Sequence, residues 1–411
     1  MNVIIHRGAV EIGGSCLEVA CAGTRLVFDC GWPLEGEGTV APPPVPGLFV
    51  PGDAPQAVFL THAHPDHTGF IEQMPASVPI YSTVATSKMM FVGSLYARGV
   101  TLRRERWKAV PLAKWGDAFT KLRIRGVEVT AYPVDHSAYG GVAYLVEHGG
   151  KRLLYSGDLR FHGRKPGMHK RLIQNLRGTL DATVIEGTNL GRAAGDFPSE
   201  LSVEEYAVKV ARSVNSLVMV AFSPQNLDRF VSFFRAAVRT GRTFVCDHYM
   251  AAVLYMIAER SLPKPAANGK LRVYFPRQRK RVEKLELKAR AAAITLDEIR
   301  ATPGKFIMLA RPSLIEEFEG RLPERTRILF GMWSGYREKP DWRKTEALIA
   351  AASGDFQDCH ASGHAHREDL FSFLTALAPQ IIIPIHTNLP REFASRFPNC
   401  ICLADGQTLR V

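Results

Sequence analysis

Thr61-His62-Ala63-His64-Pro65-Asp66-His67 is the stretch on which the fold turns. Three imidazoles and a carboxylate fall within six positions, directly after Ala57-Val58-Phe59-Leu60. That short, apolar, partly branched run reads as a buried strand. A strand ending in His-x-His-x-Asp-His offers two imidazoles in one direction and a carboxylate plus a third imidazole in another. Such a loop can hold two divalent cations close together. Paired cations activate a water and clamp the oxygens of a phosphoester in an in-line displacement. A metal needs four or more ligands, so the chain must supply others.

Candidates stand at the ends of other apolar runs. His136 follows Val127-Glu128-Val129-Thr130-Ala131 through Tyr132-Pro133-Val134-Asp135. Asp158 sits at the tip of Lys151-Arg152-Leu153-Leu154-Tyr155-Ser156, where Gly157 breaks the strand. His386 ends Ile381-Ile382-Ile383-Pro384-Ile385. A strand apolar on both faces that presents one polar residue at its C-terminal end is where an α/β fold places its site. Taken singly, each has a bland reading as a turn or loop residue. With the first cluster they complete two coordination shells.

The order Asp29, His62-x-His64-x-Asp66-His67, His136, Asp158 resembles the metallo-β-lactamase superfamily. Leu26-Val27-Phe28-Asp29 resembles its first motif, whose Asp orients the metal loop, and Gly157-Asp158 resembles its bridging carboxylate. Val184-Ile185-Glu186-Gly187-Thr188-Asn189, His360-Ala361-Ser362-Gly363-His364 and Pro384-Ile385-His386 resemble the three further motifs of the β-CASP branch. The details are most similar to ribonuclease J and its relatives. The resemblance spans nearly the whole chain and is weakest from about 245 to 330. It implies an α/β fold: an αββα sandwich carrying an inserted α/β β-CASP domain. Two departures stand out. Thr387-Asn388 replaces the Gly-Glu that often follows the last motif, and the chain stops about two dozen residues after His386, so the usual further C-terminal domain is expected to be absent.

The resemblance implies a division of labour. His62, His64 and His136 hold one metal; Asp66, His67 and His386 hold the second; Asp158 bridges them. Zinc is the first choice of metal and manganese the alternative. Asp66 also orients the attacking water. His364 is the general acid, with Glu186 orienting it and raising its pKa. His360 and Ser362 are phosphate contacts, and Ser223 is a weaker one because Ser223-Pro224-Gln225-Asn226 also reads as a simple turn.

Composition fits this frame. At 411 residues and 46% hydrophobic content the chain can build a large core and more than one domain. The alternation of strands and helices from Leu217-Val218-Met219-Val220-Ala221-Phe222 through Arg327-Ile328-Leu329-Phe330 predicts a parallel-leaning sheet. The expected organisation is a first part of the sandwich over 1–195, an inserted domain over 196–350 and the second part over 351–411, with a cleft between domains as the ligand site. No run of eighteen apolar residues predicts a membrane span, and the chain starts directly with a strand rather than a signal peptide. Seven scattered cysteines do not form a disulfide framework, and Cys400-x-Cys402 reads as buried strand cysteines. A cytoplasmic setting follows. His6, His148, His162, His169 and His248 lack ligand spacing, and His366 is expected to point away from His364.

The formal net charge of +12 suggests an anionic partner. Two basic stretches, Arg103 to Lys108 and Arg277 to Arg281 continuing to Lys284, Lys288 and Arg290, read either as solvated faces or as phosphate-tracking surfaces, with Trp107 placed to stack on a base. The expected activity is metal-dependent hydrolysis of single-stranded RNA, exo- or endonucleolytic, by a monomer or homodimer. The alternatives are a metallohydrolase acting on DNA or another ester, a non-catalytic RNA-binding subunit, which would ordinarily have lost ligands, and a diiron redox protein, which would leave His364 and Glu186 without a role.

Overall fold

The computed structural model describes residues 1–34, 39–97, 99–112, 120–192, 195–277 and 282–411. The chain divides into two compact units, one formed by Met1–Ala194 with Gly363–Val411 and the other by Gly195–Ser362. The return to the first unit thus comes at Gly363, not near 350. The reason is the strand Asp355–Asp358, which pairs in parallel with Arg327–Phe330 and so belongs to the second unit's sheet.

The first unit is a two-sheet sandwich. One sheet runs in spatial order Thr408–Arg410, Asn2–Arg7, Cys16–Cys21, Thr24–Phe28, Ala57–Phe59, Ile80–Ser82, Trp107–Ala109. The other runs Ile381–Ile385, Ala182–Glu186, Lys151–Tyr155, Val142–His148, Val127–Pro133, Leu122–Ile124. Their facing sides share one core. Val3, Leu17, Phe28 and Phe59 of the first sheet cluster with Val129, Tyr144, Leu153, Val184 and Ile383 of the second. Phe28 meets Tyr144 and Tyr155 across this interface, with ring centroids 5.6 and 6.0 Å apart. Alternate residues of each strand supply the shared face, as two packed sheets require. On the outer face of the second sheet, Leu172 and Leu176 of the helix Gly167–Leu176 pack with Leu370, Phe373 and Leu374 of the helix Arg367–Leu377.

Strand direction sets the site. Thr24–Phe28 and Ala57–Phe59 run parallel. In the second sheet, Lys151–Tyr155, Ala182–Glu186 and Ile381–Ile385 are mutually parallel, and Val127–Pro133 shares their direction through the antiparallel strand Val142–His148. Phe28, Phe59, Pro133, Tyr155, Glu186 and Ile385 therefore all end at strand C-termini.

The second unit is an all-parallel sheet in the order Ala293–Ile294, Leu271–Tyr274, Thr243–Asp247, Phe306–Ala310, Val218–Ala221, Arg327–Phe330, Asp355–Asp358. Its central strands Phe306–Ala310, Val218–Ala221 and Arg327–Phe330 are nearly continuous in apolar residues, as expected when helices cover both faces. Leu227–Arg239 is an amphipathic helix capped by the Asn226 side chain, and Gly241 follows it at φ +74°.

Two sequence expectations change. The helical spacing of Arg277, Arg281, Lys284 and Lys288 in the sequence predicts one charged helix face, but the helix here is Glu283–Ala289 and Arg277 precedes it, paired with Glu319. Arg279, Lys280 and Arg281 lie outside the described residues. The Cys400-x-Cys402 pair is not in a strand, and Cys402 is exposed.

Candidate metal centre and acid site

Asp29 organises the site from below. It is fully buried at φ +59°, a left-handed conformation that Asp tolerates better than most residues. Its Oδ1 accepts from the Thr61 amide at 2.8 Å. Its Oδ2 accepts from the Thr61 hydroxyl, Tyr155 hydroxyl and His67 Nδ1, each at 2.8 Å. The carboxylate thus ties the first strand of the motif to the metal-loop backbone and to one imidazole. Gly31 lets the loop close down: a Cβ there would sit 1.6 Å from the Asp66 carbonyl oxygen.

The imidazoles are held in matching tautomers. Because the Thr61 hydroxyl gives its proton to Asp29, it accepts from His62 Nδ1 at 3.1 Å. His67 Nδ1 donates to Asp29, His136 Nδ1 donates to the Gly363 carbonyl at 2.7 Å, and His386 Nδ1 lies 2.7 Å from Ser15 Oγ. Each of these four rings then turns an Nε2 lone pair inward, the arrangement by which an outer hydrogen bond prepares a histidine ligand. His64 presents Nδ1 instead, 3.1 Å from His62 Nε2 and 3.2 Å from His136 Nε2.

Those spacings fit a cation. Three lone pairs facing one another repel, and zinc–nitrogen bonds of about 2.0–2.1 Å at tetrahedral angles separate ligand nitrogens by roughly 3.3 Å. The second group is Asp66, His67, Asp158 and His386, whose ligand atoms also lie within 4.8 Å of one another. His386 Nε2 and His67 Nε2 are 3.7 and 3.9 Å from Asp66 Oδ2. Asp158 stands between the groups, with Oδ2 3.2 Å from His67 Nε2, 3.7 Å from His62 Nε2 and 3.8 Å from His136 Nε2. Both Asp158 oxygens, His67 Nε2 and His386 Nε2 are buried without a hydrogen-bond partner. Buried polar atoms are ordinarily satisfied, so this concentration of orphans fits a set of metal ligands.

The electrostatics set His67 apart: burial opposes its charge, but the Asp158 and Asp29 carboxylates push its pKa well above the usual histidine range. Burial drives the pKa of His62 and His136 well below the usual histidine range and lowers those of His64 and His386. Burial also disfavours charge on Asp158, but His386, His67 and His364 outweigh it and hold that carboxyl well below its usual range.

His364 stands beside the cluster in a different setting. Its Nδ1 is 3.0 Å from Glu186 Oε1 and 3.8 Å from Asp158 Oδ2. Burial opposes its protonation, yet the Glu186 and Asp158 carboxylates push its pKa up to about 9. Glu186 is buried and fixed by the amides of Leu159 at 3.1 Å and Thr188 at 3.0 Å. Asn189 donates to the carbonyls of His364 and Ala365, at 2.9 and 3.2 Å, and so anchors the segment. His366 stacks on His162 instead, with centroids 4.2 Å apart.

Several supporting residues escaped the sequence reading. Ser15 meets His386 across a separation of 371 residues, and Tyr155 and Thr61 complete the Asp29 network. Asp135 and the fully buried Arg160 form an ion pair, 3.1 Å from Nε to Oδ1, between the loops that carry His136 and Asp158. Gly13-Gly14 before Ser15 was the only sequence hint of a close approach there.

The other expected contacts are distributed differently. Ser223, His360 and Ser362 fall in the second unit. Ser223 is exposed, and its hydroxyl accepts from the Gln225 amide at 3.3 Å. His360 Nδ1 lies 3.2 Å from the Gly331 carbonyl oxygen. In the first basic stretch Arg103, Arg104 and Lys108 are exposed, whereas Arg106 is structural. Arg106 is buried and donates to the carbonyls of Ile71, Met74, Pro75 and Val78. Trp107 lies in an edge strand, half-buried, and donates to Ser82 Oγ at 2.8 Å.

Residues 24–222 match the family described as beta-lactamase superfamily domain, and residues 354–394 match the Zn-dependent metallo-hydrolase RNA specificity domain. The chain belongs to the metallo-β-lactamase superfamily. Within it, the inserted parallel-sheet unit and the RNA-specificity segment make it a β-CASP metallohydrolase. It is similar to ribonuclease J of Sinorhizobium meliloti, at 24% identity covering 94% of this chain and 69% of that protein. Ribonuclease J of Mycobacterium tuberculosis is likewise 24% identical, covering 94% of this chain and 68% of its own length. A crystal structure of a protein of unknown function from Enterococcus faecalis V583 shares the fold, with a TM-score of 0.78 at 21% identity over 99% of both chains. Among the described residues no helix is long and apolar enough to cross a membrane.

Proposed function

We propose that this β-CASP protein is a metal-dependent ribonuclease that hydrolyses phosphodiester bonds of single-stranded RNA. The observation that carries the reading is the His364–Glu186 pair set 3.8 Å from the orphaned Asp158 carboxylate. A thiolate leaves a thioester without protonation, whereas an alkoxide leaving phosphorus needs such an acid. The match of residues 354–394 to an RNA specificity domain supports RNA over DNA, and the ribonuclease J relatives point the same way.

His62, His64 and His136 would hold one cation and Asp66, His67 and His386 the other, with Asp158 shared. Zinc is favoured by the imidazole-rich set and manganese is the alternative. Bound there, two cations supply Lewis acidity and an activated water. Asp66 then orients the water toward phosphorus. With His364 Nδ1 tied to Glu186, the proton for the leaving oxygen comes from Nε2, and Glu186 keeps the imidazolium in register. Ser223, His360 and Ser362 contact phosphate.

The test is cleavage of a short single-stranded RNA labelled at either end, by wild type, His64→Ala and His364→Ala, with zinc or manganese. Metal-dependent cleavage lost in both variants supports the reading. Mononucleotides released from one end identify an exonuclease and internal fragments an endonuclease. A metal-loaded wild type that leaves RNA intact yet cleaves DNA or a small phosphodiester sinks the assignment to RNA.

A further inference from the structure

The inserted unit has a worked edge of its own. Val218–Ala221, Arg327–Phe330 and Asp355–Asp358 are adjacent and parallel. Their C-terminal loops therefore lie side by side, the position where open parallel sheets bind ligands. One buried residue ties these loops together. Arg229 is fully buried and pairs with Glu200 at 3.0 Å; it donates to the Ala361 carbonyl at 2.7 Å and to the Gly331 carbonyl, and its own amide is held by Asn226 Oδ1 at 3.0 Å. The middle loop carries two aromatic side chains outward. Trp333 is 49% exposed and Tyr336 is 41% exposed, with ring centroids 5.8 Å apart, and Lys339 Nζ lies 4.7 Å from the Tyr336 centroid.

The position of the indole is built in. A Cβ at Gly335 would come within 2.5 Å of the Trp333 ring, so the indole occupies the space that a side chain at residue 335 would need. The nearby carboxylates of Asp358 and Glu346 are both engaged by Arg337, and Glu338 pairs with Arg343. Two large aromatic surfaces beside a cation, on a polar edge with its acids neutralised, match the stacking platform with a cationic partner that binds single-stranded nucleic acid.

We propose that Trp333 and Tyr336 form a base-stacking platform for single-stranded RNA on the C-terminal edge of the inserted sheet. The proposal rests on the ribonuclease reading for the identity of the strand. It assigns the bases to this loop and leaves phosphate to the flanking loops that carry Ser223, His360 and Ser362.

The test is fluorescence anisotropy of a labelled, mixed-sequence single-stranded RNA with hydrolysis-resistant phosphorothioate linkages, titrated with full-length, metal-loaded protein. Loss of one stacked base weakens binding by about tenfold, so Trp333→Ala and Tyr336→Ala should each raise Kd by about that factor. Trp333→Phe, which keeps an aromatic face, should lose less than Trp333→Ala. RNA should quench tryptophan emission in wild type, and Trp333→Phe should lose most of that quenching. Wild-type affinity in both alanine variants overturns the platform; if wild type still cleaves RNA, the ribonuclease reading survives that result. A wild type that binds no RNA overturns both.

Discussion

His67 Nδ1 and Asp29 Oδ2 are 2.8 Å apart, and both groups are fully buried. The bond fixes the tautomer that leaves His67 Nε2 turned toward Asp158 at 3.2 Å. Asp29→Asn tests this relationship without disturbing the backbone, because Asn also tolerates the left-handed conformation that Asp29 adopts. Its amide replaces one acceptor with a donor, so His67 loses its anchor. Outer partners of metal ligands typically contribute about 10–100-fold in affinity, and a loss of that size is expected. Competition against a chromophoric chelator measures it; unchanged affinity would remove Asp29 from the orienting role.

Asp158→Asn and His64→Ala should uncouple stability from metal. A cation bound only by the folded state adds RT ln(1 + [L]/Kd), about 2.7 kcal/mol at a hundredfold excess over Kd. Chelation should therefore lower the wild-type Tm, whereas each variant should melt at the same temperature with and without chelator. Elemental analysis after dialysis should show less than the wild-type metal content in both. A chelator-insensitive wild type would count against the whole ligand set.

The His364–Glu186 pair predicts the alkaline limb of activity. A general acid works while protonated, so the rate should fall as pH rises through the His364 pKa. That value is pushed up to about 9 by Glu186 and Asp158 against the opposing effect of burial. With Asp158 engaged by cations, Glu186 is the main support, and the limb should fall at or below that pH. Glu186→Gln removes the negative charge, lowers the pKa and moves the limb toward neutral pH. A pH–rate profile of RNA cleavage for the two proteins checks the direction; an unmoved limb would mean that His364 does not supply the proton.

Arg229 offers a stability prediction in the second unit. Both Arg229 and Glu200 are fully buried, and Ser232 also donates to the Glu200 carboxylate at 2.8 Å. Arg229→Ala leaves that carboxylate without its cation, which should destabilise the fold by about 3–5 kcal/mol. Adding Glu200→Gln should recover part of the loss by removing the stranded charge. Urea denaturation of the single and double variants measures both effects.

Much of the site was legible because its donors are packed into short motifs. His62, His64, Asp66 and His67 share one loop, and His136, Asp158 and His386 each follow an apolar strand, so local pattern marked them as candidates and the family resemblance supplied their division between two metals. The first basic stretch was legible only in part, because charge in a sequence does not reveal burial. Arg106 is enclosed by backbone carbonyls, and Trp107 is bound into a sheet edge. The return point of the inserted unit was also misplaced, because the polar strand Asp355–Asp358 lacks the apolar run that marks the other strands.

The sequence by itself determined the donor types, their order along the chain and the alternation of strands and helices, since these depend on spacing among near neighbours. Tertiary structure decided which nitrogen each imidazole turns inward and which residues hold it there. Ser15 and His386, or Asp29 and Tyr155, are brought within hydrogen-bond reach by strand pairing across the sandwich. Arg229 likewise joins three loops only because parallel strands align their ends. Such contacts depend on where the backbone carries each residue, and neither composition nor local pattern encodes that distance.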